Sequence, residues 1–91
     1  MIIGRVIGNV WATRKEDSLN GLKLMVVRRL DAGLSGPQES FVAVDCLGAG
    51  IGERVLVVTG SSARKALHNQ EAPVDAAIVG IIDEVEIRPE V

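Results

Sequence analysis

The sequence is poor in the groups on which most chemistry and many binding functions rest. It has one cysteine, Cys46, no tyrosine, and only 2% aromatic residues. A lone cysteine excludes an intrachain disulfide and a zinc cluster built on cysteines, and it suits a reducing compartment. No apolar run approaches the ~20 residues needed to cross a bilayer, so no membrane partner is expected. The opening "MIIGRVIGNVW" lacks a basic leader followed by an unbroken apolar stretch, so a signal peptide is not expected.

Neither sign of charge dominates, with 10 basic residues against 12 acidic and a formal net charge of −2. Nucleic-acid binding draws on positive patches that displace counterions from phosphates. Single-strand binders of the OB kind also stack bases on aromatic side chains. The only such side chains here are Trp11 and Phe41. No nucleic-acid partner is expected; an OB-like single-stranded nucleic-acid-binding module is kept as the alternative from a different class.

What the chain does have is aliphatic residues and glycine, with 47% hydrophobic residues and 10 glycines. That mixture reads as tight β-structure with close backbone approaches. The 91 residues make a single domain, spanning 1–91. A chain this short buries only roughly 60–65% of its unfolded surface and is marginal alone.

Residues 2 to 13 alternate. Ile2, Gly4, Val6, Gly8, Val10 and Ala12 form a small apolar face, and Ile3, Arg5, Ile7, Asn9, Trp11 and Thr13 the other. A period of two is the strand signature, and the glycines suit a strand that bends around a small barrel. "RKEDSLNG" is a polar connection whose Asn20-Gly21 signals a hairpin turn. Residues 22 to 30 read as a second strand, broken by Arg28-Arg29. After the loop-like "DAGLSGPQES", residues 41 to 47 form a third strand that aims Val42, Val44 and Cys46 at the core. Residues 54 to 59 form a fourth. Residues 61 to 68 have the composition of a short helix with a capping serine. A long last strand runs from Ala76 to Ile87. The expected fold is all-β: a small five-stranded OB-like barrel with one short helix between the fourth and fifth strands. Strand order stays open.

In a lone barrel the outward faces are polar. Here the second faces carry Ile3, Ile7 and Trp11, then Met25 and Val27, then Ile78 and Ile82. Each such side chain contributes about 1.5–3 kcal/mol if buried. Exposed together they form a patch that monomers avoid, so burial against sister copies is expected.

Gly48, Gly50 and Gly52 stand in a Gly-x-Gly-x-Gly spacing, and the strand-like "ERVLVV" follows. A dinucleotide fingerprint needs Gly-x-Gly-x-x-Gly opening a helix, and a P-loop needs a closing Gly-Lys-Ser/Thr; neither is present. Two readings stay open: a tight connection needing positive φ, or several backbones crowding a symmetry axis. In "GSSARKAL" the serine caps a helix, and Arg64 pairs with a carboxylate such as Glu53. Cys46 reads as an inert core thiol and His68 as solvated surface, so no catalysis is expected. No cofactor or metal is expected.

"VDCLGAGIGERVLVVTGSSAR" (Val44–Arg64) and "PVDAAIVGIIDEV" (Pro73–Val85) together resemble the pentameric vertex proteins of bacterial microcompartment shells, the EutN/CcmL-type family. "GRVIGNVWATRK" and "GLKLMVVRRLD" resemble that family's first two strands, with Leu47 standing where valine is more usual. The resemblance implies a homopentamer that caps the corners of a polyhedral shell in the bacterial cytoplasm. Flat facets of hexameric shell proteins would be its other partners, and the family is not one of enzymes. It also implies an axial role for Gly48, Ala49, Gly50, Ile51 and Gly52. Asp45 and Glu53 flank that loop, positioned to hold its amides or to pair with Arg64 across a subunit interface.

Overall fold

Alternation drives the first strand, and the partners it finds decide where the alternation stops. The computed structural model describes residues 1–13, 15–30, 39–69 and 71–83. Five strands appear among them: β1 (Ile2–Val10), β2 (Lys23–Arg29), β3 (Ser40–Asp45), β4 (Arg54–Thr59) and β5 (Ala76–Ile81). They close into a barrel in the order β1-β2-β3-β5-β4. Every neighbouring pair is antiparallel except β3 and β5, which meet in a short parallel seam at Val44↔Ala77 and Asp45↔Ile78. This is the OB-like barrel expected, with a strand order that periodicity alone does not reveal.

The interior is filled by β-branched and small side chains. Val6 faces Val27, which faces Phe41 on the next strand; Met25 faces Ala43; Ile2, Val57 and Ile78 form another row. Val6, Val27, Val55, Val57 and Ile78 are fully enclosed. The barrel is narrow enough that β1 and β2 touch at Gly4. A Cβ there would land on Val27 Cγ1 and lie 3.0 Å from the Arg28 carbonyl oxygen.

The expectation that Met25, Val27 and Ile78 face outward as interface residues is overturned, since all three lie in the core. Two causes are visible. On β2 both faces are apolar, so Leu24 and Val26 compete with Met25 and Val27, and only the pairing settles which set points in. On β5 the register shifts between Leu56 and Val57, leaving Val79 without a partner. Such a bulge inverts the alternation beyond it. A second shift, between Val6 and Gly8 on β1, leaves Ile7 as the extra residue. Gly8 and Val10 therefore share a face with Val26 and Leu24, whereas Gly4 and Val6 point inward.

Other expectations are corrected in detail. Arg28-Arg29 does not break the second strand, because both residues lie within β2. Cys46 follows the end of β3 and is exposed, while Ala43 takes the core position. The helix α1 spans Ser61–Ala66 and is capped by Gly60, with no side-chain cap from either serine. It packs against β5 and β4. Asn20-Gly21 does make a turn: Leu22 N–H donates to Leu19 O at 3.1 Å, with Gly21 at φ 81°. β5 ends at Ile81, and the remainder of the expected last strand beyond residue 83 lies outside the described residues, as does the loop at 31–38.

Candidate functional site

The glycine loop leaves β3 at Asp45 and rejoins the barrel at Arg54, and its shape is set by two carboxylates. The Asp45 side chain is wholly buried. Its Oδ1 accepts from the amides of Leu47 (2.9 Å) and Gly48 (3.1 Å), and its Oδ2 from the amide of Ala49 (2.7 Å). Lys23, directly across from Asp45 on β2, brings Nζ to 3.5 Å from Oδ2. The same ammonium donates to Ala49 O at 3.1 Å. A buried carboxylate is costly unless its lone pairs are filled, and here three amides and one cation fill them.

The far side of the loop is held in the same way. Glu53 Oε1 accepts from Gly50 N–H at 2.6 Å, while Glu53 N–H donates to Gly50 O at 3.1 Å. Gly52 N–H donates to Val6 O, and Val6 N–H to Glu53 O, which ties the turn to β1. The expectation that Asp45 and Glu53 hold the loop's amides agrees with these bonds. Lys23 was missed by sequence reasoning; its position opposite Asp45 depends on a register that the sequence does not print. Arg64 does not pair with Glu53 within the protomer. Its Nη1 donates to Val74 O at 3.2 Å, fastening the approach to β5 onto α1.

Gly48 and Gly52 have φ of +83° and +94°, and a Cβ at either would meet nothing within 4 Å. Backbone conformation is the reason for glycine at both. Gly50 differs: its φ is outside the left-handed range, and a Cβ would sit 3.2 Å from Glu53 Oε1, a movable side-chain end. Ala49 departs from the axial role assigned to it. Its methyl is fully enclosed in the barrel's core cluster, so it anchors the loop and is not available to line an opening. The loop thus presents Gly48, Gly50, Gly52 and two exposed aliphatic side chains, Leu47 and Ile51.

A second feature lies on the outside of the barrel. Val10 faces Leu24, which faces Val44; Gly8 faces Val26, which faces Val42. Val44 is fully buried, so the aliphatic band left at the surface comprises Val10 and Leu24 in one row and Gly8, Val26 and Val42 in the other. Val42 is 46% exposed, and a cleft of about 180 Å³ opens beside it, lined by Leu19, Leu24, Val44, Pro73 and Val74. Of the earlier interface candidates, Ile7 and Trp11 are exposed and Ile3 and Ile82 are half-buried. Leu24 and Val26 face outward where Met25 and Val27 were expected to, and Val42, expected in the core, is exposed, so the parity of both β2 and β3 was misjudged.

The arrangement offers little to a reaction. Burial, and then the adjacent Asp45 carboxylate, push the Cys46 thiol up from its ordinary range. It therefore stays protonated and weakly nucleophilic near neutral pH. Among the described residues no group of three or more His, Cys, Asp or Glu side chains is placed to hold a metal ion. Phe41 is partly buried against the core, which leaves Trp11 as the exposed aromatic.

Comparison with known proteins gives consistent matches along most of the chain. The family described as "Ethanolamine utilisation protein EutN/carboxysome" matches residues 1–83. The shell vertex protein GrpN of Rhodospirillum rubrum is 49% identical over 86 residues, covering 94% of this chain and 97% of that protein. The carboxysome shell vertex protein CcmL of Synechococcus elongatus is 48% identical over 87 residues, covering 96% and 88%. Among solved structures, an ethanolamine utilization protein EutN superimposes with a TM-score of 0.85 at 39% identity, covering 96% of this chain and 91% of that one. The GrpN pentameric microcompartment shell protein of R. rubrum gives 0.83 at 48% identity, covering 97% and 100%.

Proposed function

The chain belongs to the EutN/CcmL family, and on that premise we propose that it is a structural shell protein whose homopentamer caps the vertices of a bacterial microcompartment. It is not an enzyme. The observation that carries the reading is the match to a pentameric shell protein over essentially the full length of both chains. The protomer's physics supports it: a small barrel with an aliphatic band outside gains stability by burying that band against a neighbour. Head-to-tail contact between unlike patches generates a ring when the rotation closes.

The loop from Gly48 to Gly52 is the part we place nearest the five-fold axis. There each side chain recurs five times in a narrow space, and a rigid turn that presents mostly backbone tolerates that crowding. The ring's outer rim then meets facets of hexameric shell proteins in the bacterial cytoplasm. A flat hexagonal sheet cannot close on itself without corners of lower symmetry, and the pentamer supplies them.

Electron microscopy of shells made with and without this chain tests the role. Closed polyhedra should form with it, and open or punctured shells without it. Shells equally closed in its absence would overturn the assignment.

A further inference from the structure

The aliphatic band supplies only half of what a five-membered ring needs. No two-fold axis relates neighbouring copies in such a ring, so each contact joins unlike surfaces and every protomer carries a second, complementary one. A row on a different wall of the barrel has the character required. Ile3 on β1 pairs with Leu56 on β4, and Leu56 with Gly80 on β5. Leu30 N–H donates to Ile3 O at 2.8 Å, which brings the end of β2 alongside. Gly4, Val55 and Val57, the chain neighbours of Ile3 and Leu56, are buried, so the Ile3 and Leu56 side chains point outward. Leu30, Ile3, Leu56 and Gly80 are all half-buried. The solvent face of an antiparallel wall carries polar side chains, and this row has none. With strands about 4.8 Å apart it runs about 14 Å across four strands. It is distinct from the band, since Arg5 and Ile7 on β1 and Arg28 on β2 stand between the two.

We propose that the row Leu30–Ile3–Leu56–Gly80 receives the aliphatic band of a second copy of this chain, so that the β1–β4–β5 wall of one protomer packs on the β1–β2–β3 wall of the next. The assignment rests on the shell-vertex reading and adds the acceptor face to it. A band meeting another band is an isologous contact, which stops at a dimer; a band meeting a different wall leaves a free band and a free row at the two ends, and the contact repeats until the ring closes. Both surfaces are aliphatic and run across adjacent strands, so they pack face to face without stranding a polar side chain. Permanent contacts between copies favour such surfaces. Each also has a glycine at its margin, Gly8 on the band and Gly80 on the row, where a neighbour can approach the backbone closely. An unpaired carboxylate buried in this contact is costly, so a single glutamate on either surface is enough to break it.

Complementation between two single variants tests this. Val42→Glu spoils the band and leaves the row, whereas Leu56→Glu spoils the row and leaves the band. Native mass spectrometry should find each alone as a monomer, with the parent's circular dichroism. Mixed in equal amounts at high micromolar concentration, they should form one-to-one heterodimers and nothing larger, because the pair shares one intact band–row contact and has no second. Ile3→Glu, from another strand of the row, should stand in for Leu56→Glu with the same result. A Leu56→Glu protein that keeps the five-copy mass overturns the proposal and leaves the row to a different protein. A mixture of folded variants that stays monomeric overturns it too, since band and row then do not meet. Homodimers of either variant alone would mean that like surfaces meet. Loss of the strand signal in both Leu56→Glu and Ile3→Glu would assign the row to the protomer's own packing, and either result sinks the acceptor face. A parent chain that is itself monomeric defeats the vertex reading, whereas a five-copy parent whose variants fail to complement defeats the acceptor face alone.

Discussion

Asp45 does more for the loop than any other residue, since one buried carboxylate receives three consecutive-turn amides and a lysine. Replacing it with asparagine keeps the shape but turns an NH2 toward backbone donors. Asp45→Asn should therefore cost about 1–3 kcal/mol of stability in urea unfolding, and an unchanged midpoint would refute the clamp. The glycines separate by cause. Gly48→Ala imposes a left-handed backbone on a Cβ and should cost about 1–2 kcal/mol in the protomer. Gly50→Ala lacks that penalty, and Glu53 can yield, so its protomer stability should change by less than about 1 kcal/mol. If Gly50 crowds the axis, the Gly50→Ala ring should nonetheless dissociate at lower denaturant than the parent ring. Equal losses in both variants, measured by urea unfolding, would collapse the distinction.

At the scale of elements, the strands were legible because valine and isoleucine recur with period two, and β4 lies where "RVLVVT" places it. The glycine loop and its flanking carboxylates were legible as well, since a backbone turn needs nearby acceptors whatever the tertiary fold. What the sequence concealed was parity. Strand β2 offers Leu24 and Val26 against Met25 and Val27, and its charges do not break the tie, since Arg28 falls on the first face and Lys23 and Arg29 on the second. Bulges at Ile7 and Val79 then shift the inward set midway along β1 and β5. Of the expected outward residues Ile7 and Trp11 are exposed and Ile3 and Ile82 half-buried, and the residues that replace the buried three on the outer face are the half-buried Leu24 and Val26 and the exposed Val42. A charge placed on that band tests it: Val42→Glu should leave the strand signal in circular dichroism intact. Sedimentation velocity should find the variant as monomers. A variant that still sediments with the parent would show that the band lies outside the contact between copies.

On the scale of the whole molecule, the protomer is a closed barrel too small to hide all its aliphatic surface, with a stiff glycine turn at one place on its wall. Among the described residues two surfaces stand out, the band and the turn. The ring we propose would account for both, each copy covering its neighbour's band while the turns converge on the axis. Native mass spectrometry of the purified chain at micromolar concentration measures that claim most directly. The account predicts a dominant five-copy species that persists on dilution, whereas a dominant monomer, or a ladder of even-numbered oligomers, would contradict it.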